Sequence, residues 1–454
     1  MPFLKFLPIN LFRRANYFLL SIAVIVLLNC FLTFNNITKN SSPNQTKDFE
    51  VRILEKQNYN FGQSKYTLWS EKGFITAKTS ENYLVGNTYK IRGEYQSIAS
   101  KEDLTSYDWY FLSFGQQGEL KKPLKVLANL CDSTCHVIQS LNSFKNNFRL
   151  QLQYSACHTN YFVLKWLNLD AEGCRNSSNF SYSLVLGGTN GFDEKFKSEI
   201  KKVGLTHLVA FSGFQVALIV AFLEKLLSSA RISRNWRVLI SFLTLALTIL
   251  LVGLQPPVLR SALSIALSTT ILLLFGVRLA TLRALIYSAL VLLIINPLYI
   301  INLSFQLSFL ATFGLILAPK IEIASSFLQF KLWKILVTTL CETLGAFLFT
   351  LPIILKINSG VSLIGILANL VIVPFVPILT LLNIILIVPG ASWIVGLFVN
   401  LIQGIGLILV RDLASLEVPW LLIKWQMNSY DTVIYYVLLI VACLIINSNT
   451  QKRN

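Results

Sequence analysis

Hydrophobic and polar residues are unevenly distributed and divide the chain into regions of different character. Residues 17–34 form an uncharged apolar run behind three basic residues, residues 35–202 are polar, and apolar runs dominate from residue 203 onward. A helix of about 18 residues is about 27 Å long, which is sufficient to cross the hydrocarbon core of a bilayer. The pattern therefore predicts a retained membrane anchor within residues 1–34, then a water-facing region and a membrane region.

The polar region shows first the period of β-strands and then that of helices. Its β-rich stretches are separated by Gly and Asn turns, which is typical of a small barrel or sandwich; they are residues 49–54, 66–78, 89–98 and 124–130. A helical period follows at residues 141–168, and residues 193–202 are typical of a charged interfacial helix. We predict a β-domain at 35–135 and a helical and linker region at 136–202.

The apolar region predicts a series of membrane-spanning helices separated by basic clusters. The predicted spans are residues 203–226, 238–255, 258–276, 284–301, 302–318 and 335–355. Pro374 and Pro377 interrupt the next apolar run, 362–389, which is either one broken helix or two half-helices. We expect nine to eleven membrane segments in all, with the membrane domain ending at residue 447 and a basic tail at 448–454.

Charge orients this arrangement and excludes some functions. The positive-inside rule places the N-terminus and the basic clusters in the cytoplasm and residues 35–202 outside. Only 13% of the residues are charged and the net charge is +17, whereas soluble domains have roughly 25% charged residues. We therefore predict a polytopic α-helical membrane protein with one extracytoplasmic β-rich domain, not a soluble enzyme. The chain has no G-x-x-x-x-G-K-[ST] motif, which excludes ATP binding through a P-loop.

Four apolar segments contain polar side chains that lipid does not favour. The polar residues are His207, Ser212 and Gln215 in the first segment, Arg260 in the second, Ser304, Gln306 and Ser308 in the third, and Asn369 in the fourth. Gly213 and Pro374 are further candidates, because glycine permits close packing and a proline in a membrane helix frees a backbone carbonyl. One interpretation is that they line a polar path through the membrane domain. The alternatives are hydrogen bonding between helices, close packing at Gly213, and an arginine that extends to the membrane interface.

In this order and spacing, the four segments resemble the ComEC family of competence proteins. The motif residues are Gly204 to Gly213, Pro257 to Arg260, Asn296-Pro297 with Phe305 to Phe309, and Ala368 to Pro374, with Leu186-Gly187 before them. The resemblance implies an inner-membrane channel that passes single-stranded DNA into the cytoplasm, a DNA receptor outside and a DNA helicase or translocase motor inside. It also implies that the β-domain is OB-like. Gln215 stands where the family often has a second histidine, and we expect no metallo-β-lactamase-like domain, which many members have.

The β-domain contains aromatic and basic residues that are candidates for binding single-stranded DNA. Aromatic rings stack on bases and basic side chains contact phosphates. The candidates are Trp69, Tyr89, Lys90, Arg92, Tyr95, Trp109, Lys121, Lys122 and Lys125. The alternative is that the aromatic residues fill a small β core.

Four of the seven cysteines lie in the region predicted to be outside the membrane: Cys131, Cys135, Cys157 and Cys174. We expect at least one disulfide among them, because disulfides persist in such compartments. Sequence does not choose among the three possible pairings. A zinc site that uses Cys135-His136 and Cys157-His158 is the alternative, but the spacing fits no standard pattern, so we expect no metal and no cofactor.

Two other functions are compatible with a polytopic protein. A secondary transporter of a small solute is the principal alternative, although we find no inverted repeat that would favour it. A membrane-bound enzyme would have to use His207 with a carboxylate such as Glu342 or Asp412, and neither lies in a motif with His207. We therefore expect a channel that does not alter DNA chemically.

Overall fold

The computed structural model describes most of the chain with gaps. The described residues are 45–58, 64–70, 73–79, 83, 85, 87–97, 116–130, 133–154, 171–188, 191–318, 331–357, 361–386, 392–415, 422–423, 427–428 and 430–439. The predicted anchor at 1–34 and the basic tail lie outside them. The chain divides into two compact units, one formed by residues 1–144 with 286–306 and the other by residues 145–285 with 307–454.

The first unit contains a closed five-stranded barrel. Its strands are β1 (Gln45–Asn58), β2 (Ser64–Ser70), β3 (Gly73–Thr79), β4 (Thr88–Ser97) and β5 (Gln116–Leu130). The order around the barrel is β1-β2-β3-β5-β4, and β1 closes it by pairing with β4. All neighbouring strands are antiparallel except β3 and β5, which are parallel. The predicted β-domain is thus a barrel, and the predicted stretch 66–78 is two strands.

Alternate residues of the strands fill the barrel. The buried cluster consists of Val51, Ile53, Tyr66, Leu68, Ile75, Ala77, Tyr83, Tyr89 and Ile91. Successive side chains of a strand point to opposite faces, so this spacing of two is the signature of an apolar interior. Tyr83 enters from the connection between β3 and β4, and its backbone N–H donates to the Tyr66 hydroxyl at 3.1 Å.

Helices form the remainder of the described chain. They are α1 (Ser133–Tyr154), α2 (Ala171–Leu186), α3 (Glu194–Lys202), α4 (Thr206–Val209), α5 (Gly213–Ser229), α6 (Arg234–Val252), α7 (Pro256–Phe275), α8 (Thr281–Ile295), α9 (Leu303–Leu317), α10 (Lys331–Ile357), α11 (Ile364–Ile372), α12 (Val376–Ile385), α13 (Ser392–Ser415) and α14 (Tyr430–Leu439). Short 3₁₀ turns occupy Pro297–Ile301 and Val373–Phe375. The strands β6 (Val361–Ser362) and β7 (Leu422–Ile423) pair with each other.

Five stretches within the described residues are long and apolar enough to cross a membrane. They are Arg234–Val252, Pro256–Phe275, Val337–Ile357, Ile364–Ile385 and Ile394–Ser415. The helices α8, α9 and α14 are apolar but shorter. This helical content fits a polytopic membrane protein. The total of nine to eleven segments remains a prediction.

Two predicted spans differ from the structure in an informative way. The expected helix 203–226 is broken, because α3 ends at Lys202, α4 is a single turn and α5 begins only at Gly213. The run 362–389 is one interrupted helix: α11 and α12 are joined by the 3₁₀ turn that contains Pro374. Proline lacks a backbone N–H and clashes with the preceding turn, which accounts for the interruption.

The helices α2 and α3, which precede the predicted membrane domain, share a hydrophobic core with the membrane helices. Leu184 of α2 and Phe196 and Ile200 of α3 belong to the same buried cluster as Ala368 of α11 and Leu407 of α13. This core therefore extends across the predicted boundary at residue 203.

Candidate functional site

The segment Gly204 to Gly213 is a compact connection between α3 and α5. Gly204 has φ +76°, a left-handed conformation that favours glycine. It ends α3: its N–H donates to the Lys201 carbonyl at 3.1 Å, and that of Leu205 donates to the Ile200 carbonyl at 3.0 Å. His207 follows on α4 with an exposed side chain, while Leu208 and Val209 beside it are buried.

Ser212 and Gln215 fix the start of α5. The Ser212 backbone N–H donates to Gln215 Oε1 at 2.6 Å, which is one half of a capping box. Gln215 Nε2 donates to the Leu184 carbonyl of α2 at 3.0 Å. The amide oxygen and the amide nitrogen of this buried side chain therefore both hold the start of α5 in place. The role of Gln215 in lining a path remains a prediction.

Gly187, at the end of α2, packs directly against this connection. Its φ is +75°, and a Cβ atom there would lie 2.8 Å from Cβ of Phe211. Only glycine satisfies both the backbone conformation and this contact. The Leu-Gly pair found in the sequence thus holds α2 against the segment before α5.

Arg260 joins three of the four polar segments. It lies one turn inside α7, which begins with two prolines, and its Nε donates to Ser308 Oγ of α9 at 2.8 Å. A side chain at residue 213 would overlap with the Arg260 guanidinium and the Ser261 hydroxyl. Glycine at 213 therefore lets the start of α5 approach Arg260 closely.

The positive charge of Arg260 is not compensated within the described part of the chain. No described carboxylate lies within ion-pair distance, and its contacts are the Ser308 hydroxyl and the Phe309 ring, whose centroid is 6.0 Å from Cζ. The side chain is partly buried. A cation in a membrane segment is costly, so an unpaired one indicates a polar or wet surrounding.

The fourth segment packs against the first. Ala368 is fully buried in the cluster that contains Leu205 and Leu208, and a Cβ atom at Gly365 would lie 3.2 Å from the Val203 carbonyl oxygen. Asn369 Oδ1 is buried and accepts no hydrogen bond from the described residues. Pro374, five residues further on, is exposed.

Residues 302–306 at the start of α9 belong to the first unit. Asn302 caps α9, because its Oδ1 accepts from the Phe305 N–H at 3.1 Å. Gln306 Nε2 donates to the Ile300 carbonyl at 2.7 Å, and Ser304 is partly buried. No described contact joins His207 or Asn369 to Arg260, so a common path for these residues and Gln306 remains a prediction.

A comparison with known families covers all these segments. A family model described as "Competence protein" matches residues 184–449. The chain belongs to the ComEC family of competence proteins. The ComE operon protein 3 of Bacillus subtilis (strain 168) is 32% identical over 204 residues, which are 44% of this chain but 25% of that protein. The chain therefore aligns with about a quarter of this relative, and no solved structure matches it significantly.

The geometry gives the ComEC motifs a common physical role. The segment Gly204 to Gly213 packs against Gly187, Arg260 and Gly365. One short connection is therefore in contact with motifs that are far apart in sequence. Three of these contacts involve glycines at which a Cβ atom would be crowded. Close backbone approach, together with the buried cluster around Ala368, holds this part of the ComEC fold together.

The structure brings together a second group of polar residues, which are not among the candidates predicted from the sequence. Ser177 and Ser181 of α2 donate to Gln403 Oε1 of α13 at 2.9 and 3.0 Å, and all three side chains are buried. The sequence contains a pattern that indicates this group. Asn400 and Gln403 lie three residues apart in an apolar run and so share a helix face.

One DNA-binding candidate in the β-domain is corrected by the structure. Tyr89 is 6% exposed and packs edge-to-face on Tyr83 at 5.2 Å, so its ring fills the barrel core and presents no face to a base. The backbones of Trp69, Lys90, Arg92, Tyr95, Lys121, Lys122 and Lys125 lie on barrel strands, but their side chains and all of Trp109 lie outside the described residues. Their role in binding remains a prediction.

The backbone register places acidic residues opposite two of these candidates. Arg92 of β4 lies opposite Asp48 of β1, and Lys90 lies opposite Glu50. Positions 90 and 92 alternate with the buried positions 89 and 91. The sequence of this part of the barrel is therefore not uniformly basic.

The cysteines and possible metal ligands are only partly described. Among the described residues Cys341 is a free thiol, whereas Cys174 is buried and is not a free thiol. The side chains of Cys131, Cys135 and Cys157 lie outside the description. No group of three His, Cys, Asp or Glu residues able to hold a metal occurs in the described part. Glu342 and Asp412 are both exposed, and no described contact links either to His207.

Proposed function

We propose that this protein forms an inner-membrane channel that moves single-stranded DNA into the cytoplasm during natural transformation. The observation that carries the proposal is Arg260, a cation without a described carboxylate partner that three family motifs surround. Membership of the ComEC family supports a role in DNA uptake. It does not favour the alternative of a secondary transporter for a small solute.

A guanidinium held in this way suits a passing phosphate. Its Nε–H is committed to Ser308, and among the described residues no acceptor engages its Nη atoms. Arginine is weakly hydrated and presents a planar set of donors that matches phosphate oxygens. The unpartnered Oδ1 of Asn369 supplies an acceptor in the same membrane domain, where buried polar atoms normally have a partner or a water.

We also propose that the β-barrel is an OB-like domain that receives DNA outside the membrane. Five strands in the order β1-β2-β3-β5-β4, closed by β1 and β4 with β3 parallel to β5, support this assignment, since OB-folds are five-stranded Greek-key barrels that bind oligonucleotides. The extracytoplasmic location of residues 35–202 rests on the positive-inside rule. Affinity for single-stranded DNA should then fall steeply with salt, because each phosphate contact releases counterions.

The proposed outer location favours a disulfide in this region. We propose at least one disulfide pairing among Cys131, Cys135, Cys157 and Cys174, because all four lie in the region predicted to be outside the membrane, where disulfides persist. Thiol counting on protein denatured without reductant tests this pairing. Four free thiols among these residues would contradict both the disulfide and its oxidising compartment.

The remaining parts of the proposal concern partners. We propose that a DNA receptor delivers the strand and that a DNA helicase or translocase motor pulls it, since the chain has no P-loop of its own. The chain itself would guide DNA without cutting it. The lipid bilayer is its other partner.

The central proposal is tested by replacing Arg260 in a transformable strain. Arg260→Ala should abolish DNA uptake, Arg260→Lys should restore it only in part, and Gln306→Leu should also abolish it. The matched control is Arg278→Ala, which removes an exposed arginine just after the other end of α7. The measurements are transformant counts and the amount of protein in the membrane fraction. Normal uptake in Arg260→Ala with normal protein amount would contradict the channel-lining role.

A further inference from the structure

The helices α2, α3, α4, α11, α12 and α13 line an apolar groove. Its volume is about 140 Å³. Its lining includes Phe196 and Ile200 of α3, Leu379 of α12 and Gly406 of α13. An apolar cavity of roughly 150 Å³ accepts a six-carbon ring and stays free of water. The groove therefore accommodates a short section of a hydrocarbon chain.

The mouth of the groove opens where the protein is suited to lipid. Val371, Phe375 and Ile405 line it and are 47%, 48% and 46% exposed. They lie in the candidate membrane spans Ile364–Ile385 and Ile394–Ser415. If these candidate spans cross a bilayer, the mouth faces lipid hydrocarbon, and a lipid acyl chain is the occupant that such a position favours.

Gln403 does not make the groove a polar site, although it contributes to the lining. Its Oε1 accepts from Ser177 and Ser181, and its Nε2 lies 2.8 Å from the Ser181 oxygen. The amide is thus satisfied from the side of α2. A polar ligand would gain little from it.

Helix α3 lies along the groove and has the composition of an interfacial helix. Phe196 and Ile200 are buried on one face and line the groove, while Lys195, Lys201 and Lys202 are exposed. Asp193 caps its start by accepting from the Phe196 N–H at 2.6 Å, and Asn176 of α2 donates to the same carboxylate at 2.6 Å. The helix is therefore fixed with its apolar face inward and its lysines exposed, the arrangement typical of a helix at a membrane interface.

Charge at this end of the groove favours an anionic headgroup. Helix α3 has four lysines and two glutamates, and one of these lysines, Lys197, pairs with Glu194 at 2.7 Å. Arg411 and Asp412, both exposed, directly follow the groove residue Val410. The lysines at the end of α3 remain without a described carboxylate partner.

We propose that this groove binds one anionic phospholipid of the bilayer, with an acyl chain beside Gly406 and the phosphate near Lys201 and Lys202. Bound in this way, the lipid links α3 to α13 and fills the space between them. The inference does not depend on DNA translocation.

Native mass spectrometry of the full chain tests the proposal. The protein is extracted from nanodiscs of equimolar dioleoyl phosphatidylglycerol and dioleoyl phosphatidylcholine. We expect the wild type to retain one phosphatidylglycerol. Gly406→Phe should lose it, because a Cβ atom at Gly406 meets nothing within 4 Å and a side chain there would enter the groove.

Two controls separate groove filling from general damage. Gly406→Ala leaves most of the groove open and should retain the lipid. Leu397→Phe changes an exposed residue of the same helix outside the groove lining and should also retain it. Retention by Gly406→Phe equal to that of the wild type would overturn the acyl-chain site.

A second variant tests the headgroup independently of the groove. Lys201→Gln with Lys202→Gln should lower the preference for phosphatidylglycerol over phosphatidylcholine by roughly 5- to 30-fold, the range expected for one or two basic contacts near an anionic surface. These residues are exposed, so folding should be unaffected. An unchanged preference, or equal retention of both lipids by the wild type, would overturn the anionic site.

Discussion

The β-barrel and the helical unit differ in what they bury. The barrel buries alternate apolar residues such as Val51, Leu68 and Ile75. The helical unit buries polar residues such as Ser177 and Gln403 and exposes large apolar ones; Leu243, Leu247, Leu274 and Ile394 are examples. Both units therefore bury apolar cores, but the large exposed apolar side chains among the described residues lie outside the barrel.

The difference indicates which forces hold each unit together. In water, removal of apolar surface drives the barrel to close. In lipid that driving force between helices is absent, and close packing and hydrogen bonds between helices replace it. The Gln403 hydrogen bonds and the glycine contacts at 187, 213 and 314 are of this kind. Substitutions that remove the same number of atoms should thus have unequal effects in the two units.

The largest expected effect is in the barrel. Leu68 is buried in its core, so Leu68→Ala should destabilise the barrel by about 2–5 kcal/mol through lost burial and a cavity. Amide hydrogen exchange of β2 and β3 peptides in the full chain measures the change. Protection like that of the wild type would mean that the barrel interior repacks freely.

A somewhat smaller effect is expected where α9 meets α10. A Cβ atom at Gly314 would overlap with the Gly345 carbonyl oxygen, which belongs to the backbone and cannot turn away. Gly314→Val should therefore destabilise the helical unit by about 1–3 kcal/mol through overpacking. Detergent-denaturation curves provide the measurement, with Gly406→Ala as the control because its position is open. Equal stability of both variants would contradict close packing at Gly314.

The buried polar group should contribute less than the glycine contact. Gln403→Leu removes the acceptor of two serine hydroxyls, and such bonds between membrane helices average about 0.6 kcal/mol with a maximum near 1.7 kcal/mol. We expect a loss of about 1–2 kcal/mol. A double-mutant cycle with Ser177→Ala isolates the coupling, and additive effects would show that the hydrogen bond contributes nothing.

The smallest effect is expected at a lipid-facing leucine. Leu243 is 60% exposed on α6, so Leu243→Ala should change stability by less than about 0.5 kcal/mol, as for surface positions in general. The same denaturation curves measure it. A loss like that of Leu68→Ala would mean that Leu243 faces a partner rather than lipid, and the comparison between the two units would fail.

The sequence was informative where a local pattern carries the structure. Alternation predicted the β-domain, and the apolar runs located four of the five long helices to within a few residues; no range was predicted for the fifth, Ile394–Ser415. The spacing of the polar segments identified the family that the comparison then confirmed. The prolines at 374 and 377 marked the interruption between α11 and α12. Period and local chemistry determine each of these features, so neighbours along the chain suffice to read them.

The tertiary structure decided how these segments are used. Tyr89 was a candidate for base stacking because it is aromatic, but the closed barrel places its ring in the core. Helix α2 looked like part of a polar linker, yet its serines are buried because Gln403, more than two hundred residues later, accepts from them. Likewise, Gly213 is crowded only because α7 brings Arg260 to it. A hydropathy scale gives each residue type a single value for its preference for water or an apolar medium. The burial of these side chains depends instead on contacts with residues that are distant in sequence and come close only in the folded chain.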